Sequence, residues 1–336
     1  MKAKKIFVAA MMCALSLVAV GCADTENTSE TEEQSQSGVD TNSFDEQIKK
    51  SCWSGVDAKG NSYVLSMEEG NYTFVVRGAE GETQMDGTYS LGENGLEFLK
   101  SDEAQSELNK LECEVCLDGE NPFIKINDIY LSKATVDDYK EQIENIDLAA
   151  SVAEYLSSGH VWIACYKDNV VLLDFNGQQI ERVALSKNGE NISKETVDAE
   201  WCISNDVFAF FDVTTGKQLE NFAWDFQEEE ELKVLSVDSD QEKFVFYELQ
   251  QDSMDNGVAL AESYLNNQKE ADDIQDFTTV LNGYEGVSIV DAFVFAGLNP
   301  QIENRAIFAE KFNIENYRGT SEQNLFLLES MGGVVK

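Results

Sequence analysis

From Cys52 to Ser132 short apolar runs alternate with turn signals: "NSYVLSM", "NYTFVVRG", "DGTYSLGENGLEFL", "NKLECEVCL" and "FIKINDIYLS". Runs of this length, rich in Val, Ile, Tyr and Phe and spaced by "EGN", "EGE" and "GENG", predict antiparallel hairpins. A second pass with the same grammar begins at His160: "HVWIACYKD", "VVLLDFNGQQ", "ERVALS", "AEWCISNDVFAFFDVTTGK", "NFAWDF", "LKVLSV" and "KFVFYEL". Each pass opens on a tryptophan, Trp53 or Trp162, and "GTYSLGENGLEFL" aligns with "AEWCISNDVFAFF", which sets Tyr89 against Trp201 and Leu96 against Phe208. The pattern predicts a duplicated module of roughly 80 to 90 residues, too long for a solenoid unit. Each copy closes into a small barrel or sandwich that hides its strand edges.

Between the passes, "TVDDYKEQIENIDLAASVAEYL" has the period of a helix, with Thr135 as N-cap, Asp138 three residues later, and Tyr139, Ile143, Ile146, Ala150 and Ala153 on one face. After Gln251 the period shifts from two to near 3.6. "NGVALAESYLNNQ" places Val258, Ala261, Tyr264 and Leu265 on one face, and "DDIQDFTTVLNG" does the same with Ile274, Phe277 and Leu281. Three further helices follow. Ser288 caps the first, with Asp291 in the box position and Gly297 at its end. Asn299 caps the second, with Pro300 at its first position and Ile302, Ala306, Ala309 and Phe312 inward. Thr320 caps the third, Gln323 takes the reciprocal place and Gly332 stops it. The expected fold class is mainly β with helical additions: two small antiparallel barrels or sandwiches and a C-terminal three-helix bundle. The modules span residues 51–133 and 158–250, joined by a helical connector at 134–157, with a helical linker at 251–284 and the bundle at 285–336.

The first fifty residues change the picture. Residues 1–21 carry Lys2, Lys4 and Lys5 before an apolar run, the layout of a secretory signal peptide. The run from Ile6 to Val20 falls short of the roughly 20 apolar residues of a membrane span. "AVGC" resembles the lipobox of bacterial lipoproteins. That resemblance implies a lipidated Cys22 as the first mature residue and a tether to the outer face of the cell membrane. The segment after it, "ADTENTSETEEQSQSGVDTNS", is too polar to offset its ordering entropy, so residues 22–50 read as a disordered acidic tether.

The formal charge is −39, and losing the three lysines of the signal takes it to about −42. Duplex nucleic acid is thereby excluded as a natural partner, because phosphate binding rests on clustered Lys and Arg. The acidic run Glu228 to Glu231 fits a solvated strand connection, and "DSDQEK" lacks the glycine of a calcium loop. Five cysteines remain after Cys22, an odd number: Cys52, Cys113, Cys116, Cys165 and Cys202. Cys113 and Cys116 sit on opposite faces of a strand and do not form a metal pair, while Cys165 and Cys202 suit a disulfide within one module. His160 is the single histidine, so a Ser-His-Asp or Cys-His mechanism has to pass through it. There is no G-x-G-x-x-G, P-loop, H-E-x-x-H or G-x-S-x-G motif, and no cofactor or metal is expected.

Two further resemblances bear on function. The rhythm of tryptophan, turn glycines and "GTYSL" resembles lipocalin-like domains of bacterial surface lipoproteins, which implies a barrel mouth for a small apolar ligand. The alternative is that Trp53, Trp162, Trp201 and Trp224 plug or cap packed cores. "GVSIVDA", "NRA", Ala309 and "NYRGTSEQNLFLL" resemble a short C-terminal segment of Gram-positive peptidoglycan amidases, taken to bind the wall. That resemblance implies Asp291, Asn304, Arg305, Tyr317, Thr320, Gln323 and Asn324 as wall-binding candidates, with Tyr317 stacking on a sugar face and the amides bonding acetamido groups. Thr320 and Gln323 equally serve as a capping box, and Arg305 equally pairs with Asp291 or Glu303. Phe295, Phe308 and Phe312 depart from that pattern and suit packing on the β-module. The sequence therefore predicts a non-enzymatic surface lipoprotein whose terminal helices contact peptidoglycan. The alternatives are a lipocalin-like carrier of a small apolar ligand and a cell-wall enzyme working through His160 or an acid pair.

Overall fold

A computed structural model of the chain describes residues 48, 50–92, 95–100, 113–116, 122–135, 139–229, 232–238, 243–251 and 253–336. Residues 1–47, with the expected signal peptide, lipidated Cys22 and most of the tether, lie outside them. No helix among the described residues is long and apolar enough to cross a membrane.

The protein is mainly β, with sixteen strands and six α-helices among the described residues. The first run of strands is β1 (Lys50–Val56), β2 (Ser62–Glu68), β3 (Asn71–Gly78), β4 (Gly81–Gly92), β5 (Gly95–Lys100), β6 (Cys113–Cys116), β7 (Phe123–Ile126) and β8 (Ile129–Lys133). Helices α1 (Tyr139–Asn145) and α2 (Asp147–Leu156) follow. The second run is β9 (Val161–Tyr166), β10 (Asn169–Asn176), β11 (Gln179–Asn188), β12 (Asn191–Ile203), β13 (Phe208–Asp212), β14 (Gln218–Glu229), β15 (Leu232–Asp238) and β16 (Lys243–Glu248). The chain ends with α3 (Met254–Asn267), α4 (Ile289–Phe295), α5 (Ile302–Lys311) and α6 (Ser321–Ser330).

The first run pairs in the order β6-β7-β8-β1-β2-β3-β4-β5, so that its last strand lies beside its first. The second run does the same through β9 and β16, and the β11–β12 pairing closes it into an eight-stranded antiparallel barrel. Tight turns set the register. Glu68 pairs with Asn71, which leaves Glu69 and Gly70 as a two-residue loop with φ of 48° and 83°. Positive φ at both loop positions matches the twist of the flanking strands and favours glycine at the second.

The chain divides into two compact units: the described residues up to Ser151 with Cys202–Glu220, and Val152–Trp201 with Asn221–Lys336. In the first unit, β1 alternates between two cores. Trp53 packs with Leu65, Met67, Phe74, Ile124 and Leu131. Cys52 faces the other way, with Val64, Val75 and Ile143 of α1. Strands buried on both faces carry near-continuous apolar runs, which is why β1 to β3 read so clearly. Gln142 of α1, almost fully buried, donates from Nε2 to Ser54 Oγ at 2.7 Å and so ties α1 to β1. The connector is two helices broken at Ile146, which is itself fully buried. The Thr135 hydroxyl donates to Asp206 Oδ2 at 3.1 Å, and residues 136–138, which include the expected box residue Asp138, lie outside the described residues.

In the second unit one core joins the barrel's outer face to the helices. Val161, Ile163 and Cys165 of β9 and Val170 and Leu172 of β10 pack with Val258, Ala261 and Leu265 of α3. The same core takes in Val290, Phe293 and Val294 of α4, Phe308 and Ala309 of α5, and Leu327 and Leu328 of α6. Phe308 meets Phe293 edge-on at 5.3 Å and Phe277 at 5.7 Å. Phe295 and Phe312 are only partly buried. Gly297, at φ 76°, ends α4 where an added Cβ collides with the Asn267 carbonyl at the end of α3.

Three expectations are corrected. "DDIQDFTTVLNG" is not an α-helix but two 3₁₀ turns, Ala271–Asp273 and Phe277–Thr279. Asp276 Oδ1 accepts from both Thr278 N and Thr278 Oγ1, and such local bonds compete with a continuing helix. Helix α5 starts at Ile302, with Gln301 as N-cap, two residues beyond the expected start, because Asn299 Oδ1 accepts from Gln301 N instead. Its buried positions are Arg305, Phe308 and Ala309. Finally, Cys165 and Cys202 are free, buried thiols and form no disulfide. They belong to different cores: Cys165 lies beside Ile163 and Val170, and Cys202 beside Phe123, Tyr130 and Phe211.

Candidate functional site

The second barrel gathers its polar chemistry at one end. Glu248, the last residue of β16, stands directly opposite Trp162 of β9, and Lys233 of β15 stands opposite Glu228 of β14. Trp162 and Phe226 come from strands separated by two others in the barrel order, yet their rings are 6.0 Å apart. They meet inside the barrel, which follows from strand alternation: Val161 and Ile163 face the helices, so Trp162 faces inward. Phe175 and Trp201 do the same at 5.2 Å.

Tyr155, near the C-terminus of α2, closes this end. Its ring lies 5.7 Å from Phe226 and 6.3 Å from Trp162, edge-on to both, and stacks on His160 at 5.7 Å. Glu248 is the hub. Oε2 accepts from the Tyr155 hydroxyl at 2.5 Å, and Oε1 lies 2.8 Å from His160 Nδ1. Lys233 pairs with Glu228 and holds its ammonium 5.4 Å from the centre of the Tyr155 ring. His160 is 38 % and Glu248 22 % exposed, so the pair is reachable from solvent. Burial, followed by the hydrogen bond and charge of Glu248, pushes the Tyr155 phenol above the ordinary tyrosine range.

Three tryptophans are fully buried, and their indole nitrogens fare differently. Trp53 Nε1 donates to Ser51 Oγ at 2.8 Å and Trp201 Nε1 to the Gly177 carbonyl at 2.9 Å. Trp162 Nε1 has no hydrogen-bond partner among the described residues. Native interiors satisfy nearly all such donors, so this one is an exception, as are Asn169 Oδ1, Gln218 Oε1 and Gln268 Nε2. Among the described residues no serine, threonine or cysteine is hydrogen-bonded to His160, and its bonded partner is Glu248. The arrangement offers aromatic faces, an acceptor at Glu248 and a donor at Trp162. It does not supply the nucleophile that a His-Glu pair needs for covalent catalysis.

The wall-binding candidates are spread through the terminal helices. Arg305 is fully buried: Nε donates to the Pro300 carbonyl at 2.8 Å, and Nη1 lies 3.4 Å from both Tyr317 Oη and Asn324 Oδ1. Its guanidinium also stands 5.7 Å from the ring centre of Tyr247 on β16. The Tyr317 hydroxyl donates to Asn324 Oδ1 at 2.5 Å, and Asn324 Nδ2 to the Gly319 carbonyl at 2.7 Å. Arg305, Tyr317 and Asn324 are thus brought together as an internal network between α5 and α6. Thr320 caps α6 through Gln323 N, while Gln323 Oε1 accepts from Arg318 N, two residues before the Thr320 N–H of a reciprocal box. Asn304 Nδ2 donates to the Asn299 carbonyl at 2.7 Å. Asp291, nearly fully buried, accepts from Ser288 Oγ, Gln250 N and Gln251 Nε2 and so fastens α4 to the end of the second strand run.

Among the described residues no group of three His, Cys, Asp or Glu side chains is placed to hold a metal ion. Cys113 and Cys116 are in β6, as a strand reading requires. Glu228 and Glu229 end β14, where Glu229 pairs with Leu232 of β15, and the rest of the acidic run lies outside the described residues. His160 stood out in the sequence as the sole histidine. Tyr155, Glu248, Lys233 and Phe226 carried no motif, and their one signal was position, at the ends of elements flanking an apolar strand.

No protein-family model matches the chain, and no curated protein matches it. Among solved structures, the DNA polymerase III beta subunit of Thermotoga maritima is 12 % identical over 66 % of each chain with a TM-score of 0.10. The DNA polymerase III subunit beta of Pseudomonas aeruginosa is 6 % identical over 67 % of this chain and 69 % of its own, again with a TM-score of 0.10. At that score the likenesses carry no argument about fold or function, and the chain is read from its own geometry.

Proposed function

We propose that the chain is a non-enzymatic cell-surface lipoprotein, held by lipidated Cys22 and the acidic tether, whose second barrel takes a small apolar ligand at the mouth closed by Tyr155. The observation that carries this reading is the Trp162 indole N–H, buried without a partner at the barrel end where Tyr155, His160, Glu248 and Lys233 converge. The two strand runs are copies of one module, and the second has acquired the binding end. What supports the duplication is register: Trp53 pairs with Leu65 and with Lys133 of the last strand, and Trp162 pairs with Leu173 and with Glu248 of the last strand. The terminal helices buttress the barrel rather than form a free-standing bundle, since they share its core.

The test follows the one imidazole in the chain. Titrating the full chain with a neutral naphthyl ketone (prodan), with the His160 ring protons observed by NMR, is expected to shift that signal saturably. Phe226→Ala is expected to weaken the response about tenfold. Saturable binding that leaves the signal unmoved places the ligand elsewhere and ends the reading. Lipidation is checked separately, by incorporation of labelled palmitate that is lost in Cys22→Ala.

A second reading keeps peptidoglycan as the partner of residues 285–336. What favours it is that Phe326 on α6 and Ile307 on α5 are 54 % and 46 % exposed, apolar surface against which a sugar face can stack. The network of Arg305, Tyr317 and Asn324 then supports the surface from behind. Pull-down of the full chain on purified peptidoglycan, lost in Phe326→Ala, is the expected outcome.

A further inference from the structure

The chemistry of the barrel mouth narrows the ligand class, an inference that rests on the carrier reading above. Each charge there already has a partner: Lys233 stands with Glu228, and Glu248 holds His160 and Tyr155. An anion would meet two carboxylates, on a chain of formal charge −39. A cation would have to draw either carboxylate away from its present neighbours, leaving Lys233, His160 or Tyr155 unsatisfied. One group asks for something new, and it is a neutral donor: the Trp162 N–H, fully buried and without an acceptor. Its neighbours are the faces and edges of Phe226 and Tyr155, at 6.0 and 6.3 Å between ring centres.

We propose that the ligand is an uncharged molecule with a flat apolar body and one acceptor oxygen, a carbonyl, ester or hydroxyl, and that Trp162 Nε1 donates to that oxygen. The body takes the place that the Tyr155 ring leaves against Phe226, 5.7 Å from its centre. Entry requires Tyr155 to swing aside, which breaks its bond to Glu248 and leaves the carboxylate still held by His160. Tyr155 is therefore the gate and Trp162 the depth gauge: a molecule without an acceptor enters but leaves the N–H unpaired, at an affinity cost of about tenfold.

Three probes of similar ring size separate the classes: prodan, its parent dimethylaminonaphthalene without the ketone, and the anionic anilinonaphthalene sulfonate. Each is titrated into the full chain, wild type and Trp162→Phe, with the His160 imidazole signal confirming the place of binding. The expected result is prodan binding about tenfold more tightly than its parent in the wild type. Trp162→Phe should erase that preference, and the sulfonate should bind most weakly. If prodan and its parent bind equally at the mouth, the indole N–H serves an ordered water, and the inference fails while the carrier reading stands. A sulfonate that binds more tightly than the ketone overturns the uncharged class. If none of the three binds, both readings fall. Should Trp162→Phe not fold, the ratio of prodan to its parent in the wild type decides alone.

Discussion

Trp53 on β1 faces Leu65 on the next strand and Lys133 on the last strand of its run, and Trp162 on β9 faces Leu173 and Glu248 in the same relation. Two residues before each indole the runs diverge. Ser51 precedes Trp53 and accepts its N–H, so that end of the first run is satisfied within a single strand. His160 takes the corresponding place before Trp162, but it turns to Glu248, which also holds Tyr155 of α2. The same pairing around each indole therefore goes with a satisfied donor in one run and an unmet donor beside a polar rim in the other. Burial alone does not separate the two, since both indoles are fully buried. What separates them is where the hydrogen bonds go: the Trp53 N–H finds Ser51, and the Trp162 N–H has no partner among the described residues.

The largest effect that can break this comparison is truncation of the two indoles. Trp53→Ala is expected to cost about 3–5 kcal/mol, and Trp162→Ala to fall at the low end of that range, because it removes packing but no hydrogen bond. Urea unfolding followed by amide exchange in each unit measures both, and a greater loss at Trp162 would contradict the difference drawn here. Next comes the facing residue of the last strand. Glu248→Leu removes the acceptor shared by Tyr155 and His160 and is expected to cost about 2–3 kcal/mol while moving the imidazole signal. Lys133→Leu at the same place in the first run, on an exposed position, should cost less than about 1 kcal/mol in thermal melts.

Ser51→Ala recreates the condition of Trp162 inside the first run. Leaving the Trp53 N–H without an acceptor should lower stability by about 1–2 kcal/mol, and a neutral result would remove the significance given to the orphan donor of the second run. Smallest is Tyr155→Phe, at about 1 kcal/mol near neutral pH. Its pH dependence has a definite sign. The folded phenol titrates above its unfolded value, so its contribution is fully present below about pH 10 and is lost as pH rises through the folded value. The stability gap between wild type and Tyr155→Phe should therefore shrink in alkali. Tyr63, Tyr264 and Tyr284 are also raised, with burial the first cause in each, so phenolate absorbance of the native chain should lag behind that of the unfolded chain.

The strand runs were legible because β1 to β3 and β9 to β11 bury residues on one or both faces and end at glycine or asparagine turns, which leaves a period-two record. The helix caps at Ser288 and Thr320 were legible for the same local reason. What the sequence concealed depends on competition or on distance. Asp276 and Asn299 carry oxygens that suit several partners, and only the fold decides which they take. The candidate site was hidden because Glu248 meets Trp162 only when the last strand of the run folds back on the first. Arg305, Tyr317 and Asn324 were singled out for their resemblance to wall-binding positions, and the structure shows them bonded to one another, a link that local patterning does not reveal.

The free thiols of Cys165 and Cys202 have a chemistry set by their burial. Burial pushes the Cys165 and Cys202 thiols above the ordinary cysteine range, and oxidation and alkylation act on the exposed thiolate. Neither condition is met while the cores stay shut. Chemical damage at these positions is therefore timed by how often each core opens rather than by how oxidising the surroundings are, and the alkylation half-lives of Cys165 and Cys202 become separate clocks for the two halves of the protein.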